Sequence, residues 1–311
     1  MKPIRIASRP SKLALAQTHI TRDALLALDP EADISVVPIS TTGDKNTSDF
    51  LYQSQTQGLF TSEVESALLD GRADMAVHSL KDLPTQGPDK LIVAAMPKRE
   101  SPSDVLITTQ KTTGLQDLPA GATVGTSSLR RIAQIKHARP DLNCVPLRGN
   151  VESRLAKVAN GDVDAAVMAH AGLNRLGLSA HIAAILPSPA FLPAPGQGAL
   201  AIQARKDLPE LVALIARLDD PNTRLCVETE RLILAAMHGG CSIPLGVYAS
   251  VEADQITIQA MIGDPQGQTH IQRAQTVSVP DAFKCAEAMA LDLLDAGGRD
   301  ILEAIRAEKE K

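Results

Sequence analysis

Short apolar runs alternate with stretches of helical period through the first two-thirds of the chain, and this alternation limits the fold more than any other feature. Residues 4–8 read as a buried strand, Leu13, Ala16, Ile20, Ala24 and Leu28 recur at helical spacing, and residues 34–39 read as the next strand. Ser62-Glu63-Val64-Glu65 fits a capping box, Leu68 and Leu69 supply a buried face, Gly71 offers a stop, and residues 75–77 form a short strand. Residues 123–125 lead into a helix over 129–137, and residues 144–147 lead into one over 151–159, with Asn150 as its N-cap. Residues 164–168 and 199–204 are further strands. Strands separated by helices of about 10 to 15 residues imply crossover units, so this part is expected to be α/β with mostly parallel sheets.

After Asp220-Pro221 the pattern changes to a long helix over 224–237, alternating strands over 247–251, 256–262 and 271–277, and a helix from Asp281, which predicts a separate α+β domain. Proline-rich stretches at 97–102 and 187–195 interrupt the α/β part. A chain of 311 residues exceeds a usual single core. The expected division is therefore 1–98 with 198–218 returning, 99–197, and 219–311. Two crossings between domains are the layout of a hinged cleft.

Composition removes several classes of function. No apolar run nears the roughly 18 residues that span a bilayer, and Met1-Lys2-Pro3-Ile4-Arg5 shows no secretory core, so a cytosolic protein is expected. Cys144, Cys226, Cys241 and Cys285 lie far apart, without metal-knuckle or disulfide spacing, and read as reduced thiols. No sustained heptad argues for assembly, so a monomer is expected. The net charge is −5, yet residues 126–157 carry Arg130, Arg131, Lys136, Arg139, Arg148, Arg154 and Lys157 against Asp141 and Glu152. Such a patch suits a small anion. Nucleic acid is the poorer partner, because a chain with no Trp, two Tyr and four Phe lacks stacking platforms.

In open α/β sheets ligands bind beyond the carboxyl ends of strands. Gly125-Thr126-Ser127-Ser128 bridges a strand and a helix, where free N–H groups and hydroxyls favour an anion. Arg130 and Arg131 stand in that helix's first turn, where cations oppose the macrodipole by about 0.3 to 1 kcal/mol each, a placement that is unfavourable unless an anionic ligand compensates. Arg148-Gly149-Asn150 and Arg154 repeat the pattern at the next turn, and several guanidinium forks suit a ligand with many carboxylates. His78-Ser79-Leu80-Lys81-Asp82-Leu83-Pro84 places Lys81 and Asp82 on a turn after a strand. Gly239-Gly240-Cys241 sets a thiol in a flexible turn, where exposure and reactivity are expected, whereas Cys226 at apolar helical spacing reads as core.

Together these segments, with Ile4-Arg5-Ile6-Ala7-Ser8-Arg9, Gly58-Leu59-Phe60, Gly125-Thr126-Ser127-Ser128-Leu129-Arg130-Arg131, Leu147-Arg148-Gly149-Asn150-Val151 and Pro195-Gly196-Gln197-Gly198-Ala199-Leu200, resemble the porphobilinogen deaminase family over nearly the whole chain. The resemblance implies two lobes like those of a periplasmic binding protein and a third domain carrying a cofactor loop. It implies that Cys241 holds a dipyrromethane primer through a thioether, with no metal or nucleotide needed. In the family's reaction each porphobilinogen loses ammonia to give an electrophilic methylene-pyrroleninium, which the growing chain attacks; after four rounds hydrolysis releases hydroxymethylbilane. Asp82 matches the aspartate that stabilises charge developing on the pyrrole. By motif position Ser79, Lys81, Thr126, Ser128, Arg130, Arg131 and Arg154 hold the primer, and Arg9, Ser11, Gln17, Arg148, Arg175 and Gln197 serve the substrate and the lengthening chain, Gln197 near the hinge. The chain departs from the pattern at Gln53 and Gln57, where many members have lysines, and at Ser103, where an arginine is frequent before the aspartate, here Asp104.

A non-catalytic two-lobed receptor or sensor for a polycarboxylate is the competing expectation. Cys241 separates the two, since a receptor has no use for an activated thiol.

Overall fold

The computed structural model describes residues 3–41, 61–237 and 243–309. In chain order these form β1 (Ile4–Ser8), α1 (Lys12–Leu28), β2 (Ile34–Pro38), α2 (Ser62–Leu69), β3 (Met75–Ser79) and β4 (Leu91–Ala95). Next come β5 (Asp104–Thr108), β6 (Thr123–Gly125), α3 (Leu129–Ala138), β7 (Asn143–Val145), α4 (Val151–Ala159), β8 (Ala165–Ala169), α5 (His170–Arg175) and β9 (Ala184–Leu186). The remainder is β10 (Leu200–Arg205), α6 (Pro209–Ala216), α7 (Pro221–Ala236), β11 (Leu245–Glu252), β12 (Gln255–Gly263), β13 (His270–Ser278), α8 (Ala282–Leu293) and α9 (Arg299–Lys309).

Two five-stranded sheets share one plan. The first runs β2-β1-β3-β10-β4 and the second β7-β6-β8-β5-β9. In the first, β1 is parallel to β2 and β3, and β10 is antiparallel to both its neighbours. In the second, β6 is parallel to β7 and β8, and β5 is antiparallel to both its neighbours. Each lobe is thus parallel apart from a single reversed strand, in agreement with the α/β expectation. The reversed strands are those that follow the two proline-rich stretches. The third sheet, β11-β12-β13, is an antiparallel meander, as the alternating pattern after residue 220 predicts.

Two compact units divide the described chain, one holding residues 3–41, 61–100 and 198–224, the other holding 101–197 together with 225–237 and 243–309. In the first unit Ile4, Ile6, Met75 and Val77 enter one core while Ala7 and Ala76 enter another, because successive strand residues face opposite sides of the sheet. In the second unit Leu106, Val124 and Val167 face one core, and Val105, Ile107, Ala166 and Met168 face the other. Both sheets are therefore covered on two faces, which is why their strands read as unbroken apolar runs. The meander is apolar on one side, where Val247, Ile256, Ile258 and Ile262 pack with Ile233, Met289, Leu293 and Ile305. Among the described residues no helix is long and apolar enough to cross a membrane.

Two local expectations are corrected. Helix α1 exists, but it buries Gln17, Thr18, Thr21 and Leu25, while Ile20 of the expected apolar stripe is 49% exposed. The buried hydroxyls are satisfied at once: Thr18 donates to the Ser8 hydroxyl at 2.9 Å and Thr21 to the Gln17 carbonyl at 3.1 Å, which removes the desolvation cost. The capping box at Ser62 is also absent. Thr61 is the N-cap of α2 without a side-chain cap bond, and the Ser62 hydroxyl donates to the Glu63 carboxylate instead. Asn150 does cap α4, accepting from the Ser153 N–H at 2.8 Å.

Candidate functional site

In the first unit Gln17 and Ser79 meet at the end of β3, and Lys81 and Asp82 follow in the next turn. Ser79 closes the strand, and Leu80–Asp82 form a single 3-10 turn whose Leu80 N–H bonds the Ala199 carbonyl at 3.0 Å. Asp82 is half-buried, and among the described residues its carboxylate makes no hydrogen bond or ion pair. Lys81 stands beside it in the same turn, also half-buried. Gln17 of α1 donates to the Ser79 hydroxyl at 2.9 Å. Ser11 caps α1 by accepting from the Ala14 N–H at 3.3 Å. Behind the turn, His78 contacts Gln203 of β10 at 3.0 Å, and Gln203 donates to Glu65 at 2.9 Å. Burial pushes His78 down to about 4, the Gln203 contact opposes this, and the charge of half-buried Arg9 adds to it, so the imidazole is neutral. This buried chain is not legible in the sequence, because Gln203 lies 125 residues from His78 along the polypeptide.

In the second unit the turn after β6 carries the second group. The Thr126 N–H bonds the Val145 carbonyl at 2.8 Å, and the Ser127 hydroxyl exchanges bonds with the backbone of Leu147. A Cβ on Gly125 would meet Leu147 Cδ2 at 2.9 Å and Cβ at 3.1 Å, so any larger residue here has to displace the Leu147 side chain packed between these two turns. Thr126 Oγ1 accepts from the Ser128 N–H at 3.3 Å. Ser128 is the N-cap of α3, but its hydroxyl makes no cap bond and, among the described residues, no other hydrogen bond. Arg154 donates from Nε to the Gly149 carbonyl at 2.9 Å, and half-buried Arg148 lies in that same turn. Arg175 ends α5.

Arg130 and Arg131 do not stand as a bare cationic pair awaiting an anion. Both are buried, 3% and 7% exposed, against Asp104, which is 0% exposed. Arg130 Nη1 reaches Asp104 Oδ2 at 2.7 Å, and Arg131 places Nε at 3.2 Å and Nη2 at 2.7 Å from Oδ1. Burial disfavours the Asp104 charge, but the two guanidinium groups prevail and hold its carboxyl well below the usual range. The expectation that only a ligand could compensate cations at this helix start is corrected: a carboxylate of the chain does so. Arg139 of the basic patch, half-buried, is likewise paired within the chain, to exposed Asp141 and to the Leu115, Gln116 and Leu118 carbonyls. Gln197 is fully buried and donates to the Pro102 carbonyl at 2.7 Å and to Asp104 Oδ1 at 3.0 Å, so its amide supports this cluster.

Asp104 stands in the sequence reading only as the aspartate after Ser103, with no site role, because aspartate is depleted in strands and this one follows a proline-rich break. Two adjacent arginines after a buried strand were the available pointer to it. Glu230, fully buried in α7, was also missed; it accepts from the Gly196 and Ala249 N–H groups at 2.7 and 2.9 Å. Cys241 lies outside the described residues, between the end of α7 and the start of β11, as do Gln53, Gln57 and Gly58-Leu59-Phe60.

A profile described as "Porphobilinogen deaminase, dipyromethane cofactor binding domain" matches residues 4–213. The chain belongs to the porphobilinogen deaminase family. A second profile, "Porphobilinogen deaminase, C-terminal domain", matches residues 224–295. A porphobilinogen deaminase from Brevibacillus brevis is 44% identical over 99% of this chain and 99% of its own. One from Maridesulfovibrio salexigens is 43% identical over 98% of this chain and 99% of its own, and one from Xanthomonas axonopodis pv. citri is 43% identical over 97% and 99%. Among solved structures, a TRAP periplasmic solute binding protein from Desulfovibrio salexigens aligns at 16% identity over 70% of this chain and 72% of its own, with a TM-score of 0.43, too slight a likeness to carry weight.

The family's dipyrromethane cofactor is a polyacid, and the donor set of the second unit fits one. The Ser128 hydroxyl and the Nε and Nη2 atoms of Arg130 make no bond among the described residues, and both types donate well to carboxylates.

Proposed function

We propose that this chain is a hydroxymethylbilane synthase, a transferase that condenses four porphobilinogen molecules with loss of ammonia. The observation that carries this is the pairing of two family profiles over residues 4–213 and 224–295 with relatives above 40% identity along the full length. Cys241 is the attachment residue in this reading, through a thioether. When bound, the dipyrromethane supplies the free α-carbon to which substrate is added.

Asp82 is the catalytic carboxylate. Positive charge grows on the substrate pyrrole as ammonia leaves, and an anion fixed beside it favours that state over the ground state. A carboxylate with no internal partner is available for this, and its half-burial strengthens the interaction. Ser79, Lys81, Thr126, Ser128, Arg130, Arg131 and Arg154 hold the primer's carboxylates, Arg131 chiefly through the Asp104 cluster. Arg9, Ser11, Gln17, Arg148 and Arg175 serve incoming substrate, and Gln197 acts from the buried cluster rather than at the ligand. The three-part division at 1–98 with 198–218, 99–197 and 219–311, a cytosolic location, a monomeric state and the lack of any nucleic-acid partner belong to the same reading.

Incubation of the purified protein with porphobilinogen tests it. Ammonia release matched by hydroxymethylbilane at one product per four substrates is the expected result; binding without ammonia release indicates a receptor instead.

A further inference from the structure

Arg130 and Arg131 are neighbours on a helix, so their side chains leave the axis about 100° apart. A single group placed between them can orient both. Asp104, the first residue of β5, occupies that position and divides the two forks unequally.

A guanidinium offers a side-on edge, formed by Nε–H and one Nη–H, that matches a carboxylate in bidentate fashion. For Arg131 the side-on edge is taken by Asp104, through Nε at 3.2 Å and Nη2 at 2.7 Å, and Nη1 is held by the Val167 carbonyl at 2.9 Å. For Arg130 the pattern is reversed. Both of its bonds leave from Nη1, to Asp104 Oδ2 and to the Leu192 carbonyl, each at 2.7 Å, and its Nε and Nη2 make none among the described residues. Gln197 adds a third donor on Asp104 Oδ1 at 3.0 Å, so the carboxylate is gripped on both oxygens. Two guanidinium charges against one carboxylate leave one positive charge in the cluster, which a single ligand carboxylate neutralises.

We propose that Asp104 is a positioning residue for the primer site: it fixes Arg131 as a buttress and presents the Nε–Nη2 edge of Arg130 to one carboxylate of the ligand. This rests on the reading of the chain as a primer-bearing deaminase. The two arginines then differ in kind: Arg130 touches the ligand, and Arg131 acts through Asp104. Gln197 locks the carboxylate between them.

The test loads primer-free protein with porphobilinogen and reads the loaded fraction by intact mass, with far-UV circular dichroism reporting the fold. If the wild-type chain gains no primer, the deaminase reading itself fails, and that outcome is distinct from the ones that follow. Arg130→Lys keeps the charge but loses the side-on edge, and loading is expected to fall about tenfold or more in a folded protein, as loss of a charge-assisted bidentate contact requires. Asp104→Asn is expected to load as poorly, with the fold retained at low temperature. Normal loading by either folded variant overturns the proposal. If Asp104→Asn does not fold, a crystal structure of the loaded wild-type enzyme decides: a ligand carboxylate on Nε and Nη2 of Arg130, with Asp104 still on Arg131, supports the assignment, and a ligand carboxylate on Nε and Nη2 of Arg131 with Asp104 displaced overturns it.

Discussion

Gln17 donates its side-chain amide to the hydroxyl of Ser79 at 2.9 Å, tying α1 to the end of β3 across 62 residues of sequence. Two residues expected to meet ligand therefore meet each other, and the turn carrying Lys81 and Asp82 starts from a braced position. Gln17→Leu leaves the Ser79 hydroxyl without this partner. Urea unfolding is expected to show a loss of about 1–3 kcal/mol; an unchanged midpoint means that the bond contributes nothing to the bracing.

Asp82→Asn separates chemistry from folding. The carboxylate has no internal partner among the described residues, so stability should stay within about 0.5 kcal/mol of wild type. Turnover should fall on the order of 100-fold or more, as loss of one electrostatic stabiliser typically does. Steady-state product formation checks this, and near-normal rates would remove Asp82 from the mechanism.

Arg131→Leu strikes the buried cluster. Asp104 keeps Arg130 and Gln197 but loses both bonds from Arg131 while remaining out of water. Breaking a buried pair from one side costs about 3–5 kcal/mol, so a chemical denaturation midpoint well below wild type is expected, together with protein that lacks primer even where folded. A variant that is as stable as wild type and fully primed contradicts the account of Arg131 as a buttress.

His78 gives a pH dependence with a defined sign. Its folded value is pushed down to about 4 by burial, whereas the unfolded imidazole titrates near 6.5. Between these values the unfolded chain binds the extra proton, so stability is fully present above about 6.5 and is lost as pH falls toward about 4. At about 1.4 kcal/mol per pH unit the loss approaches about 3 kcal/mol. His78→Asn, which can still bond Gln203 but does not titrate, should flatten unfolding curves across that window; the same slope in the variant would assign it to other groups.

Much of the fold was legible because its rules are local. Residues 151–159 announced α4 through Asn150, β3 was written in a run of buried residues and β12 in alternation. The facing of α1 was not, since Gln17, Thr18 and Thr21 become core only once Ser8 and Ser79 are there to bond them. At the site, motif resemblance gives roles to Asp82 and the arginines but none to Asp104. Its importance arises from side chains 26, 27 and 93 residues away, a relationship that no window of sequence contains.

The central claim is most directly tested by the intact mass of the protein purified after expression with porphobilinogen available, compared with Cys241→Ser prepared in the same way. The account requires the wild-type chain to carry the added mass of two linked pyrrole units and the serine variant to carry none while keeping its fold. An unmodified wild-type chain, or a serine variant with the same added mass, would contradict it.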